Sequence, residues 1–105
     1  MRGFLYRLTP PQVDFGLTMS EDEQATMTAH VAYWSGLTAG GAVLAFGPIA
    51  DPSGPHGVAV LLADDLSAAE ALRDEDPAVL SAHGFRTEVI PFLGLVTPDG
   101  RCDAT

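Results

Sequence analysis

Residues 27–48, MTAHVAYWSGLTAGGAVLAFGP, decide the fold, because this stretch carries the main helix and the strand that follows it. His30, Trp34 and Leu37 follow one another at spacings of four and three residues, so they share one helix face. Met27 lies three residues before His30 and belongs to the same face. One titratable ring therefore lies within an otherwise apolar stripe, and we expect the stripe to pack against a sheet.

The end of this helix and the strand behind it locate His30 within the fold. Gly40 and Gly41 end the helix, and residues 42–49 are predicted to form a strand with Gly47-Pro48 near its close. We therefore expect His30 to line a pocket at the edge of the sheet. The alternative is a core histidine whose ring is satisfied by one hydrogen bond.

Length and charge exclude several classes of protein. The 105 residues are 47% hydrophobic, which is enough for one globular core. We place a single domain at 1–96 and a polar tail at 97–105. A net charge of −9 with only five basic residues argues against nucleic acid and anionic membrane surfaces as partners. The chain has no run of about 18 apolar residues, so no transmembrane span is predicted.

The cysteine content and the first residues predict the compartment. Cys102 is the only cysteine, and it lies in the polar tail without an internal disulfide partner. Residues 1–8 are too short and too mixed in character for a signal peptide. We therefore expect a cytoplasmic protein.

Capping and turn signals divide the rest of the chain. Ser20, with Glu23 three residues later, forms a capping box that begins the first helix. Ser67 and Glu70 give a second capping box at the start of the next helix, and Pro91 marks the last strand as an edge strand. The predicted elements are strands at 4–8, 42–49, 58–63 and 85–93, helices at 20–39 and 66–75, a short helical turn at 77–83, and a loop at 9–19 that is a candidate lid.

The order of these elements predicts an α+β, ferredoxin-like βαββαβ fold. Its four-stranded antiparallel sheet carries both helices on one face, and alternation places Phe4, Tyr6 and Leu8 together on one face of the first strand. Residues 58–63 are apolar at every position, as in a strand covered on both faces. Because the helices cover only one face, we expect a second copy of the chain to cover the other, giving a homodimer.

His30 is the strongest candidate for chemistry, since an imidazole changes charge near neutral pH and transfers protons. Asp76 is its candidate partner, although its place before Pro77 is equally that of a helix N-cap. Arg7 lies inside a strand, where it is either an anion clamp or an arginine paired with a surface carboxylate.

The other predicted ligand contacts surround this pair. Ser53 follows Gly47-Pro48 in a turn, where it could donate to a ligand, although serine is also ordinary turn material. His56 is expected to be exposed, and His83 to lie at a helix end. Neither histidine has metal-site spacing and no phosphate loop is present, so we predict no metal and no cofactor. The predicted ligand-binding residues are Arg7, Trp34, Gly47, Pro48 and Ser53.

A set of short motifs, taken in order, resembles the YCII-related (YciI-like) proteins. The motifs are His30 in the first helix, AFGP at 45–48, Gly57, SAAEA at 67–71, Asp76-Pro77 and EVIPF at 88–92. The resemblance covers about residues 4–92 and implies a dimeric α/β barrel. It also implies a small enzyme with a His and Asp pair near a cleft, which falls here on His30 and Asp76. Most members have no settled reaction, and a few resemble muconolactone-type dehalogenases.

Three functions are therefore open on the sequence. The first is an enzyme acting on a small anionic or lactone-like molecule, with His30 as general acid and base, Asp76 orienting it and Arg7 holding negative charge. The second is a non-catalytic dimeric module that binds a small ligand. The third is a haem-dependent or cofactor-free monooxygenase on the same architecture, which Trp34 and His30 permit.

Overall fold

The computed structural model describes residues 1–100, in which four strands form one antiparallel sheet in the order β2-β3-β1-β4. This order confirms the α+β, ferredoxin-like fold, and it places β4 at an edge, as its proline predicts. The elements are β1 (Arg2–Thr9), α1 (Phe15–Thr18), α2 (Glu21–Ala39), β2 (Val43–Ile49), β3 (His56–Ala63), α3 (Leu66–Asp74), α4 (Pro77–Leu80) and β4 (Arg86–Pro91). None of these helices is long and apolar enough to span a bilayer.

Helix α2 begins and ends as its sequence predicts. The Ser20 hydroxyl accepts a hydrogen bond from the Glu23 N–H at 3.2 Å, and the Glu23 carboxylate accepts one from the Ser20 N–H at 2.8 Å. The Gly40 N–H donates to the carbonyl of Gly36 as the helix ends, and Gly41 turns the chain at a φ of 88°. The helix buries His30 and Trp34 among its residues.

The core lies between the helices and one face of the sheet. Phe4, Tyr6 and Leu8 of β1 alternate onto this face, and each is at most 3% exposed. Burial of such side chains is the main stabilising contribution, at roughly 25 cal/mol per Å² of apolar surface. The other buried members of the core cluster are Trp34, Val43, Ala59, Leu61, Ala63, Ala69 and Ala78.

The outer face of the sheet carries the alternate residues. Leu5 of β1 pairs with Val60 of β3, and both are only half-buried. At one end of this face Leu95 lies directly on Gly3, so that a Cβ added there would meet Leu95 Cδ2 at 2.4 Å. Leu62 is opposite Gly3 in register and only 2% exposed. The face is thus covered at this end and half-open in its centre.

The second helix begins at Leu66 as predicted, but its predicted capping residue was wrong. Asp65, and not Ser67, is the N-cap of α3, and its carboxylate accepts a hydrogen bond from the Ala68 N–H at 2.8 Å. A carboxylate is among the strongest N-capping groups, and this one comes two residues before the predicted box. The helix consequently begins at Leu66.

The predicted loop at 9–19 contains the short helix α1. Phe15 is only 4% exposed and packs edge-to-face on Phe85, with 5.0 Å between ring centroids. This contact joins residues 70 positions apart, so no local pattern could reveal it. Strand β3 also begins earlier than predicted, at His56, because that residue pairs with Ile49 of β2.

Candidate functional site

A buried pair of His30 and Asp76 lies at the centre of the site. His30 comes from the middle of α2, and Asp76 is the N-cap residue of α4. The imidazole Nδ1 lies 2.8 Å from Oδ1 and 3.0 Å from Oδ2 of the carboxylate. The Asp76 side chain is 0% exposed and that of His30 is 11% exposed. The fold thus brings together two residues that are 46 positions apart.

Asp76 is held by four donors from three elements, β1, α2 and α4. Oδ2 accepts from the Tyr6 hydroxyl at 2.8 Å and from the Trp34 indole N–H at 2.8 Å. Oδ1 accepts from the backbone N–H of Ala78 at 2.9 Å, which is the helix cap, and also faces His30. A buried carboxylate with this many donors has its lone pairs satisfied in a single geometry.

The donors determine the charge of the carboxyl group. Burial acts to raise the pKa of Asp76, but the hydrogen bonds from His30, Trp34 and the α4 N-terminus outweigh it, so its pKa lies below the ordinary value of 3.8. Burial, together with the charge of Asp76, raises the pKa of the Tyr6 hydroxyl far above its usual range. At neutral pH the site therefore holds an ionised Asp76 and a protonated Tyr6.

This arrangement orients the imidazole. An ionised carboxylate can only accept, so the Nδ1 of His30 carries a proton and donates it to Asp76. Among residues 1–100, Nε2 has no hydrogen-bond partner, which leaves it available to the pocket that His30 lines. A ring held in this way can accept a proton at Nε2, or donate one from Nε2 once protonated.

The pocket in front of His30 has a volume of about 230 Å³ and almost entirely apolar walls. One side is formed by α2, another by the paired ends of β2 and β3, and a third by α1 with its buried Phe15. The floor includes Tyr6, whose ring stacks on Trp34 with 4.7 Å between centroids. Other lining residues are Leu8, Pro10, Met27, Val31, Phe46, Gly47, Pro48, Pro55, His56 and Phe85.

The structure divides the predicted site residues between two hollows. Trp34, Gly47 and Pro48 line the pocket beside His30, with Asp76 directly behind that ring. Arg7 and Ser53 instead line a second hollow, which also contains Asp51, Arg86 and Glu88. Their predicted ligand contacts therefore lie apart from His30.

Arg7 points to the outer face of the sheet and forms an ion pair. Its Nη1 lies 2.9 Å from Oε1 of Glu88, the residue opposite it on β4. This is the second of the two interpretations that the sequence left open for Arg7, pairing with a surface carboxylate. Ser53 donates its N–H and its hydroxyl to Asp51 within the turn.

Sequence reasoning missed Tyr6 as a member of the site. The alternation in β1 correctly placed its phenol on the buried face, and a buried tyrosine hydroxyl needs a partner, which was the available signal. His56 was expected to be exposed, but it is half-buried and borders both hollows. Its position at the start of a strand, instead of within a turn, explains the difference.

No group of three or more histidine, cysteine or acidic side chains within residues 1–100 is arranged to hold a metal ion. The contact between His30 and Asp76 instead forms a pair suited to proton transfer.

Comparison with known proteins identifies one family. A search of curated proteins gave no match. The YCII-related domain matches residues 5–93, which cover all eight secondary-structure elements except the first three residues of β1. This chain therefore belongs to the YCII-related domain family.

Proposed function

We propose that this YCII-related protein is an enzyme that uses His30 as general acid and base on a small molecule bound in the apolar pocket. Asp76 is not itself a proton acceptor here, because its low pKa keeps it ionised. Its role is to hold Nδ1 protonated and Nε2 directed at the ligand. The observation that carries the proposal is the 2.8 Å contact between Nδ1 and a fully buried carboxylate, behind an otherwise apolar pocket.

The experiment that tests the dyad is nitrogen NMR of the histidine rings. In the neutral His30 ring, the ¹⁵N shifts are expected to show a protonated Nδ1 and an unprotonated Nε2. In Asp76→Asn the negative charge that holds the Nδ1 proton is gone, so a smaller fraction of the neutral His30 rings should carry their proton at Nδ1.

His83 provides the matched control, because its Nε2 lies 3.0 Å from the Thr26 hydroxyl and its ring lies outside the pocket lining. The tautomer of His83 should be the same in both proteins. A His30 tautomer unaffected by Asp76→Asn, or a His30 ring protonated at Nε2 alone, contradicts the proposed roles.

A non-catalytic binding module is the second candidate. It is favoured by the small number of reactive groups in the pocket, since only Tyr6, His30 and His56 are ionisable among the described residues that line it. The two candidates are separated by recovering a bound small molecule after prolonged incubation. Unaltered ligand supports binding alone, and conversion that is lost in His30→Gln supports catalysis.

We also propose that two copies pair through the outer faces of their sheets. In support, Leu5, Val58 and Val60 are only half-buried there and form an apolar centre, beside the charged Arg7 and Glu88. Light scattering after gel filtration should give twice the mass of one chain. Val60→Asp should produce monomers, whereas Leu80→Asp, at a helix position that is 70% exposed, should leave the dimer intact. The cytoplasmic location stays a prediction from the single cysteine.

A further inference from the structure

We infer that the pocket binds an uncharged, largely apolar molecule about the size of a single six-membered ring, with one hydrogen-bonding group directed at His30. The sequence suggested an anionic or a lactone-like ligand, and the anionic alternative depended on Arg7 reaching the same site. This inference rests on the proposed function, because it takes the Nε2 of His30 as the polar contact in the pocket.

The volume sets the size of the ligand. The pocket holds about 230 Å³, whereas an engineered protein cavity of about 150 Å³ binds benzene. A six-membered ring with one substituent therefore fits this pocket. The walls are apolar side chains, so most of the ligand surface has to be apolar to gain from burial.

The charges decide against an anion. The pair of His30 and Asp76 has a net charge of −1 when the imidazole is neutral and of zero when it is protonated. Tyr6, the other polar group behind the pocket, stays protonated. A carboxylate or phosphate in the pocket would thus lose its hydration without meeting a net positive charge from this pair, which is costly.

Two cationic or potentially cationic side chains near the pocket, Arg7 and His56, already face carboxylates. Arg7 forms its ion pair with Glu88 in the second hollow. His56 borders the pocket, but it also faces Asp51. The pKa of Asp51 is lowered mainly by hydrogen bonds from Ser53, with smaller contributions from His56 and Arg7. The overall charge of −9 further opposes the approach of an anion.

The test compares benzamide with benzoate, two molecules of the same shape that differ in charge at pH 7.5. Trp34 is the only tryptophan and lines the pocket, so its single indole N–H signal reports on occupancy in ¹H–¹⁵N spectra. We expect benzamide to shift this signal in a saturable manner at millimolar concentration. Benzoate should bind at least about tenfold more weakly, as expected for an unpaired charge moved into an apolar site.

Two variants on α2 locate the binding. Val31 lines the pocket and is 50% exposed at its mouth, so Val31→Phe should narrow the entrance and weaken benzamide binding. Ala32 is exposed and outside the lining, so Ala32→Phe should leave the affinity unchanged.

Three results overturn the inference: benzoate binding as tightly as benzamide, benzamide failing to shift the Trp34 signal up to its solubility limit, or Val31→Phe having no effect on benzamide affinity. These results are independent of the dyad test. A correctly oriented His30 in a protein that prefers benzoate would leave the catalytic proposal intact and refute the ligand class alone.

Discussion

Replacing Asp76 by alanine tests whether the buried network stabilises the fold or merely fills space. The matched control is Asp65→Ala, because both aspartates are N-caps that accept from the backbone two or three residues later, at 2.9 Å and 2.8 Å. Asp65 is exposed, and the helix cap is its side-chain hydrogen bond. Asp76 is 0% exposed and also accepts hydrogen bonds from the side chains of Tyr6, His30 and Trp34. The difference between the two variants therefore measures the network.

The contacts give the expected magnitude. Loss of an N-cap costs about 1 kcal/mol, which is the full effect expected for Asp65→Ala. Asp76→Ala also removes the hydrogen-bond acceptor of the Tyr6 hydroxyl and of the Trp34 indole N–H. Both of these residues are at most 2% exposed, so water does not replace the acceptor. Each buried donor left without an acceptor costs about 1–3 kcal/mol of unfolding free energy. The Tyr6 hydroxyl can rotate towards another acceptor, which reduces its part of this cost. We expect a total of about 3–5 kcal/mol for Asp76→Ala.

Urea unfolding followed by far-ultraviolet circular dichroism measures both values without using Trp34 as the reporter. With an m-value of about 1.5 kcal/mol per molar, the midpoint should fall by about 2–3 M for Asp76→Ala and by about 0.7 M for Asp65→Ala. Protein concentration has to be matched, since any dimer adds a concentration-dependent contribution. Equal losses for the two variants would refute the claim that the network stabilises the fold.

The stability lost in Asp76→Ala, relative to the unchanged protein, should depend on pH in a definite direction. The pKa of Asp76 is lower in the folded protein than its ordinary value of 3.8, so its ionised form contributes stability at every pH well above that value. This contribution is lost as the pH falls through the folded-state pKa. The stability difference between the unchanged protein and Asp76→Ala should thus shrink as the pH falls from about 5 to below about 4. A difference that grows over this acidic interval would contradict the assigned charge state of Asp76.

Three further predictions concern single side chains. Tyr6→Phe removes one hydrogen-bond donor from Asp76, so it should lower the free energy of unfolding in urea by about 1–2 kcal/mol at pH 7 and by clearly less near pH 3. An equal loss at the two pH values would show that Tyr6 does not interact with the charge of Asp76. Gly3→Ala places a methyl group 2.4 Å from Leu95 and should destabilise by about 1–3 kcal/mol in the same assay. Gly36→Ala, in a helix position with no atom within 4 Å of the new methyl, should instead stabilise by about 0.5–1 kcal/mol, and a loss of stability there would show an unrecognised contact.

Much of the fold followed from local signals. The capping box of Ser20 and Glu23, the glycines after residue 39 and the spacing of His30 and Trp34 gave the bounds and the buried face of α2. These features are local because a cap or an amphipathic face involves residues only three or four positions apart. The N-cap of α3 was misassigned because Asp65 and Ser67 are both suitable caps, and the pattern alone did not decide between them.

The candidate site was predictable only in part. The sequence singled out His30 and Asp76 as chemically interesting, and the family resemblance paired them, but neither reveals the donors that complete the network. Tyr6 and Asp76 are 70 positions apart. Their 2.8 Å contact exists only because α4 packs on α2, which brings Asp76 to the buried face of β1. Arg7 shows the opposite case, since the same strand that turns Tyr6 inward turns its neighbour outward to Glu88.

The amino-acid sequence by itself determined the order of the elements, the buried face of the main helix and the identity of the two residues of the pair, because each is encoded by residues near one another in the chain. The tertiary structure alone decided which groups surround the carboxylate, which hollow holds the arginine, and that the paired His30 and Asp76 offer the pocket no net positive charge. Those properties depend on distances between residues remote in sequence, and such distances are set when the sheet and helices pack.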